Sequence, residues 1–328
     1  MPAVPDVADA RLTYRVWPAD AASFTTQRMS PLRHNIDQHP LFQLDALQAL
    51  ANSLMSSGQC RFLKPGTTQG SAFSHDPSHP QGLSIDEVFA RMEQPGAWLA
   101  LYNVQTDARY RAALERIVDD LRPMVEREQP GIFLWSIVGT MRDRVEREQP
   151  DIFRVNGFVF LSAPPSVTPF HIDRENNFWL QLRGRKTMNV WDNTDREVVP
   201  ATVVEDFIAG GVQVPFQEAF RARSREFDTG PGDGVYFPST SPHMTRTDTH
   251  WVKPGDGISV SLGINFYTSV TRRTARVHQF NRVLRRLGMT PGFPGQSLAA
   301  DSLKAPMGRW LAAVRYRRVC APPPAGSF

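Results

Sequence analysis

Residues 166–173 of the chain read SVTPFHID, and this stretch decides how the surrounding sequence folds. It follows the strand-like run 158–161 after a turn that contains prolines. Alternate residues of an extended strand lie on one face, so His171 and Asp173 point to the same side. An imidazole and a carboxylate on one face can bind one metal ion. The stretch therefore predicts a strand that carries two metal ligands.

A third ligand is predicted at His243, which follows a second strand-like segment. The turn GPGD at 230–233 leads into the run 235–237, and a strand there would bring His243 back across a barrel. Two His and one carboxylate on one face leave three coordination positions open, which is typical of non-haem Fe(II) oxygenases. His250 is a competing ligand, but its polar, turn-like surroundings favour His243. We expect His171, Asp173 and His243 to form the catalytic metal centre.

The sequence around these residues has the texture of a β-sandwich or barrel. Short runs rich in Phe, Val, Trp and Thr are broken by Gly and Pro, which number 22 and 27 in the chain. At 328 residues, 41% of them hydrophobic, the chain is long enough to bury one sizeable core. We predict three parts: helical and strand elements at 1–156 that pack on the barrel, a mainly β core at 157–267, and a helical segment at 268–328.

Helical patterns dominate the N-terminal part. Ser84 and Glu87 have the spacing of a capping box that begins a helix. Residues 106–148 are mostly helical in pattern, with breaks predicted at Pro123 and Pro130. This segment contains the hexapeptide VEREQP twice, which indicates a local duplication, because a solenoid needs at least three repeats.

Cysteine content and hydropathy exclude several classes of protein. Cys60 and Cys320 are far apart and have no CxxC spacing, so neither a disulfide framework nor a thiolate zinc site is expected. No stretch approaches the roughly 20 apolar residues of a membrane span, and residues 1–9 lack the features of a signal peptide. We therefore expect a cytoplasmic protein without a membrane partner, in which His and carboxylate side chains hold any metal.

Positive charge is concentrated near the C-terminus. Residues 269–321 contain eleven Lys and Arg against Asp301 alone, a net charge of +10, while the whole chain carries +4. The rest of the chain is therefore at −6. Few aromatic residues lie among these basic side chains, and no helix-turn-helix is evident, so we do not expect nucleic acid as a partner. We expect a solvated helix face that packs against the acidic remainder.

The order of these parts resembles the Jumonji C (JmjC) family of cupin-like oxygenases, and in particular its asparaginyl-hydroxylase branch. The resemblance covers residues 158–267, and its strongest match is the metal strand at 167–173. It implies a jelly-roll double-stranded β-helix with an N-terminal α/β lead-in and C-terminal helices. The other matched positions are Asn177, Phe178, Gln181, Gly184, Lys186, Gly232, Asp233, Tyr236, Pro238, His243, Asn265 and Phe266.

The resemblance also implies a dioxygenase that uses Fe(II) and 2-oxoglutarate to hydroxylate its substrate. By the same resemblance, Lys186 pairs with the distal carboxylate of 2-oxoglutarate, and Thr168 forms a hydrogen bond at the same end. Asn177 and Asn265 would be polar groups around the co-substrate and the metal ligands. The family's further co-substrate tyrosine lies outside the matched region, where Tyr102 is the candidate.

Other classes of protein remain open from the sequence. Cupin isomerases and dioxygenases bind metal in the same barrel without 2-oxoglutarate, although Lys186 with Thr168 has no evident purpose in them. A non-catalytic binding or regulatory module would be favoured if a ligand were missing, and none is. N-demethylation shares its first step with hydroxylation, but Asp173 in place of Glu favours a hydroxylase. Protein, peptide and small-molecule substrates are all compatible with the sequence.

Two C-terminal helices are expected beyond Tyr267. Their apolar faces lie outside the barrel strands, and exposed apolar faces often mark interfaces. The branch that the chain resembles dimerises through C-terminal helices, and two-fold dimers are the commonest oligomers. We therefore expect a homodimer built on residues 268–318. The apolar residues are Val277, Phe280, Leu284, Leu287, Trp310, Leu311 and Val314.

Overall fold

The computed structural model describes residues 14–64, 66–127, 152–253 and 256–319. Pro130 and the second copy of VEREQP lie outside the described residues. The strands are β1 (Val16–Pro18), β2 (Ser30–His34), β3 (Cys60–Leu63), β4 (His75–Asp76), β5 (Trp98–Leu101), β6 (Phe153–Ser162), β7 (Ser166–His171), β8 (Asn176–Arg183), β9 (Lys186–Val190), β10 (Arg225–Thr229), β11 (Asp233–Phe237), β12 (His243–Thr247) and β13 (Ser259–Tyr267). The α-helices are α1 (Leu44–Met55), α2 (Ile85–Ala90), α3 (Ala108–Arg127), α4 (Ala201–Gly210), α5 (Ser269–Arg286) and α6 (Leu298–Val319).

Eight antiparallel strands form the predicted jelly roll. One sheet contains β11, β8, β13 and β6 in that order, and the facing sheet contains β10, β9, β12 and β7. Strands that are neighbours in a sheet are mostly distant in sequence, as the Greek-key connections of a jelly roll require. The predicted fold class, a mainly β double-stranded β-helix of the cupin and JmjC type, is confirmed.

The N-terminal strands extend the larger of these sheets at both edges. Strands β1 and β2 continue it beyond β11, and β5, β3 and β4 continue it beyond β6, which gives nine strands in all. The main hydrophobic core lies between this sheet and helices α1, α2 and α3. The proposed divisions after residues 156 and 267 stay predictions.

Two local predictions for the N-terminal part have different outcomes. The capping box of Ser84 and Glu87 is confirmed, since each side chain accepts a hydrogen bond from the other residue's backbone N–H. The predicted break at Pro123 is wrong, because α3 continues through it to Arg127. Proline removes one helical hydrogen bond, but the buried stripe that includes Leu121 and Val125 holds this turn against the core.

The C-terminal helices pack beside the smaller sheet, against α4. The Arg285 guanidinium lies 3.0 Å from the Glu205 carboxylate, and Arg282 lies 2.6 Å from Asp206. These contacts agree with the expectation that basic helices pack on an acidic surface. Within the described part of the chain, no helix is both long and apolar enough to cross a membrane.

Replacement of Gly157 by Ala should test how tightly the N-terminal helices pack on the barrel. A Cβ atom at Gly157 would lie 2.5 Å from Leu114 of α3 and 2.6 Å from Val104. Overpacking of this kind typically costs about 1–3 kcal/mol of unfolding free energy. Chemical denaturation of Gly157→Ala should show this loss. Gly70→Ala is the control, since its Cβ would make only an ordinary 3.5 Å contact; equal stability of both variants would contradict the packing.

Candidate metal centre

The three predicted ligands meet at one end of the smaller sheet. Strand β7 pairs with β12 in a register that sets His171 opposite His243. Asp173 lies just beyond the end of β7. One ligand atom from each of the three residues lies within 4.8 Å of the other two. These residues are up to 72 positions apart in the sequence, and the pairing of two strands brings them together.

Backbone carbonyls fix the orientation of both imidazoles. The Nδ1 atom of His171 lies 2.7 Å from the carbonyl oxygen of Pro169, and that of His243 lies 3.1 Å from the carbonyl oxygen of Ser241. A carbonyl oxygen only accepts, so Nδ1 carries the proton in each ring and Nε2 is the available ligand atom. These Nε2 atoms lie 4.0 and 3.6 Å from carboxylate oxygens of Asp173.

The protonation of His243 favours metal binding. Burial lowers the pKa of His243 to about 4, so the ring is neutral at physiological pH. A neutral imidazole offers its Nε2 lone pair to a cation without first losing a proton. The competing candidate, His250, is exposed and lies outside this group of ligands.

The carboxylate of Asp173 is also held in place. The Asn177 side chain donates a hydrogen bond of 3.0 Å to Oδ2 of Asp173, and the backbone N–H of Thr240 donates one of 2.8 Å to its carbonyl oxygen. Two imidazoles and one carboxylate, each held by a hydrogen bond to a neighbouring polar group, are a donor set that suits Fe(II), Mn(II) or a similar divalent ion.

A cavity of about 460 Å³ surrounds the three ligands. This volume is typical of a small-molecule site. Every residue predicted for the co-substrate site lines the cavity, although these residues come from five separate strands or loops. They are Lys186, Thr168, Asn177, Asn265 and Tyr102.

Lys186 is the unusual member of this set. Lys186 is the first residue of β9 and is 3% exposed. Burial lowers the pKa of its side chain to about 7. Within the described parts of the chain, no hydrogen bond or ion pair involves its ammonium group. A buried cation without a counter-charge is unfavourable, so the cavity is suited to an anionic ligand.

Aromatic rings form the walls between these polar groups. The Phe73 ring is stacked on His171, with centroids 4.0 Å apart and planes at 2°. The hydroxyl of Tyr102 remains protonated, because burial and the nearby Asp173 charge raise its pKa. Tyr102 packs edge-on against Phe158 at 4.9 Å. Tyr102 therefore contributes a protonated hydroxyl to the residues that line the cavity.

Sequence reasoning missed several residues that line the cavity. Phe73, Glu175 and Gln213 are among them. Glu175 accepts a hydrogen bond of 2.6 Å from the Tyr267 hydroxyl. Phe73 and Gln213 lie in loops without a motif, so no pattern marked them. Glu175 follows Asp173 by two positions, and that alternation was the available signal.

No family model and no curated protein matches this sequence. Among solved structures, the chain is similar to the ribosomal oxygenase YcfD of Escherichia coli, at 17% identity and a TM-score of 0.45, over 96% of this chain and 70% of that one. The same enzyme in complex with cobalt and 2-oxoglutarate matches at 18% identity and a TM-score of 0.45, over 92% and 68% of the two chains. The DMSP lyase DddQ of Ruegeria pomeroyi matches at 19% identity and a TM-score of 0.21, over 34% and 38%. At these sequence identities and TM-scores, the function of this chain must be inferred from its own side chains.

Removal of any one ligand should weaken metal binding. We expect His171→Ala, Asp173→Ala and His243→Ala each to raise the dissociation constant for Mn(II) at least about tenfold. Residues that only form hydrogen bonds to metal ligands already contribute that much to metal affinity. Isothermal titration calorimetry measures the constants, and His250→Ala is the matched control. Unchanged binding by His243→Ala together with loss in His250→Ala would contradict the assignment.

Proposed function

We propose that this chain is an Fe(II)- and 2-oxoglutarate-dependent oxygenase of the JmjC type, most simply a hydroxylase. The observation that carries the proposal is one cavity that combines a His-Asp-His face with a buried, uncompensated lysine. The face is suited to a divalent metal, and the lysine is suited to a dicarboxylate. Neither a structural metal site nor a simple apolar pocket needs both.

The residues have separate roles in the proposed reaction. Bound Fe(II) with 2-oxoglutarate and O₂ supplies the oxidation of a substrate C–H bond to C–OH, with release of succinate and CO₂. His171, Asp173 and His243 hold the metal. Lys186 and Thr168 bind the distal carboxylate, and the remaining polar groups orient the co-substrate and hold its surroundings.

The supporting polar groups are placed for that task. Asn177 fixes Asp173 by its hydrogen bond, while its neighbour across the sheet, Asn265, is 8% exposed and lines the cavity. Tyr102 adds a protonated hydroxyl. Phe73 shields the metal side of the cavity, and exclusion of water limits side reactions of the oxidant.

A cupin enzyme that does not use 2-oxoglutarate is the second candidate. It would need the same three metal ligands, and the fold is compatible with it. Lys186 distinguishes the two, since a reaction without an anionic co-substrate leaves a buried ammonium group without a counter-charge. We therefore favour the 2-oxoglutarate enzyme.

The substrate is a protein, peptide or small molecule whose reacting carbon reaches the metal through the same cavity. Trp179, 4% exposed, and Arg174 line the cavity, whereas Arg183 pairs with Asp256 outside it.

The thiol of Cys60 is buried, and burial raises its pKa to about 11. This thiol is therefore unreactive and needs no disulfide partner. A free thiol and an Fe(II) site suit a reducing compartment, and we propose the cytoplasm.

We also propose a homodimer built on the C-terminal helices. Leu303, Met307 and Trp310 follow one face of α6 at helical spacing, and Leu303 and Trp310 are 71% and 60% exposed. Leu287, which follows the last residue of α5, is 72% exposed. An apolar stripe of this kind on a helical pair fits a second copy of the same surface.

Loss of the Lys186 charge should weaken co-substrate binding and leave the metal in place. We expect Lys186→Met to raise the 2-oxoglutarate dissociation constant of the Mn(II) protein at least about tenfold, because charge-assisted hydrogen bonds to carboxylates contribute about 1.5–3 kcal/mol. Calorimetric titration measures it, and Lys64→Met, on the exposed surface, is the control.

The pH dependence provides an internal check on the same variant. In the free protein Lys186 loses its proton as the pH rises through about 7, and only the charged form attracts the carboxylate. The 2-oxoglutarate dissociation constant of the wild type should therefore increase above pH of about 7, and Lys186→Met should lose this dependence.

Wild-type protein that binds Mn(II) but neither binds 2-oxoglutarate nor produces succinate with Fe(II) would exclude the oxygenase and favour the cupin alternative.

Substitution on the apolar stripe should dissociate the dimer. We expect the full-length wild type to have twice the monomer mass in light scattering at tens of micromolar, and Trp310→Glu to have the monomer mass, since a charge in an apolar interface is unfavourable. Val252→Glu, at an exposed apolar residue outside these helices, should remain dimeric. A monomeric wild type would refute the dimer.

A further inference from the structure

The strand that carries His171 is an edge strand. Strand β7 is the last in the order of the smaller sheet, and among the described residues β12 is its one strand neighbour. Backbone N–H and C=O groups on the open side of an edge strand need other partners. The geometry of the metal ligands depends on this strand, so the partners on its open side also affect the ligands.

One side chain replaces a neighbouring strand at that edge. The Oε1 atom of Gln213 accepts a hydrogen bond of 2.9 Å from the backbone N–H of Ile172, and its Nε2 donates one of 3.1 Å to the Ile172 carbonyl. A paired strand makes the same two bonds. Ile172 is the residue between the ligands His171 and Asp173, so the amide of Gln213 holds the peptide unit that sets their spacing.

Two further contacts bind the same edge. The backbone N–H of Phe170 donates to the carbonyl oxygen of Gln69 at 2.9 Å, one residue before His171. On the other side of Asp173, the Arg174 guanidinium donates to the carbonyl oxygen of Phe207 at 2.9 Å. Phe207 and Gln213 come from the end of α4 and the loop that follows it, so this segment is attached at two points that flank Asp173.

The segment that holds the strand is also a wall of the cavity. Phe207, Gly211 and Gln213 all line it. Gly211 ends α4 with a φ of 77°, a left-handed conformation that turns the chain back toward the metal strand. Its Cβ position would lie 3.7 Å from the Arg174 guanidinium. The turn at Gly211 therefore brings Gln213 to Ile172.

We propose that Gln213 is a positioning residue for the metal centre. By completing the hydrogen bonds of Ile172, it holds the His171 imidazole and the Asp173 carboxylate at the separation that one metal ion requires. This inference rests on the metal centre within the proposed function and adds to it a specific determinant of metal affinity. Partners behind metal ligands typically contribute a factor of about 10–100 in affinity.

The test replaces Gln213 by Met, which retains the length of the side chain and removes both hydrogen bonds. Co(II) is the probe, because its visible absorption reports ligand geometry as well as binding. We expect Gln213→Met to bind Co(II) about tenfold more weakly, with an altered spectrum. Hydrogen exchange at the Ile172 amide of the metal-free protein should also be faster than in the wild type.

Two other variants keep the test decisive. Gln217→Ala replaces an exposed glutamine of the same loop and should match the wild type in all three measurements. Gln213→Asn retains an amide of the same polarity on a shorter side chain, so it should fold if Gln213→Met does not, and its shorter reach to Ile172 should still weaken Co(II) binding. Wild-type affinity and spectrum in a folded Gln213 variant would overturn the proposal, whereas failure of the wild type to bind Co(II) would refute the metal centre itself.

Discussion

The pairing of β7 with β12 is the constraint on which the rest of the site depends. It sets His171 opposite His243, and the carbonyls of Pro169 and Ser241 then orient the two imidazoles toward Asp173. A jelly roll achieves this because its neighbouring strands are distant in sequence. A slip of one residue in this register would turn one imidazole to the opposite face of the sheet and remove it from the site.

Because the buried Lys186 ammonium group is unfavourable without a counter-charge, the cavity favours an anionic ligand. Most buried cations in proteins are paired, and a lysine at 3% exposure with a pKa lowered to about 7 is destabilised until an anion arrives. The metal-binding face and this lysine lie in the same cavity and come from different strands. A ligand with a metal-chelating end and a carboxylate at the other end satisfies both, which is the chemistry of a 2-oxo dicarboxylic acid.

Most of the candidate site residues on or next to strands could be predicted from the sequence, whereas Gln213 and Phe73, within loops, could not. The alternation of His171 and Asp173 and the turn before β11 were sufficient to predict the candidate ligands, whereas the jelly-roll fold was implied by the resemblance to the JmjC family. Gln213 binds Ile172 from a loop 41 positions away, and Phe73 stacks on His171 from a loop 98 positions away. No local sequence pattern encodes such contacts. Pro123 shows the opposite error, because a local rule predicted a break where packing of α3 against the core maintained the helix.

We propose that one cavity binds Fe(II) and 2-oxoglutarate together, and anaerobic spectroscopy tests this most directly. A 2-oxo acid that chelates Fe(II) through its keto oxygen and carboxylate produces a visible charge-transfer band that neither component has alone. Titration of the anaerobic Fe(II) protein with 2-oxoglutarate should produce this band and saturate at one equivalent per chain. A protein that binds Fe(II) and yet develops no band at saturating 2-oxoglutarate would contradict the account.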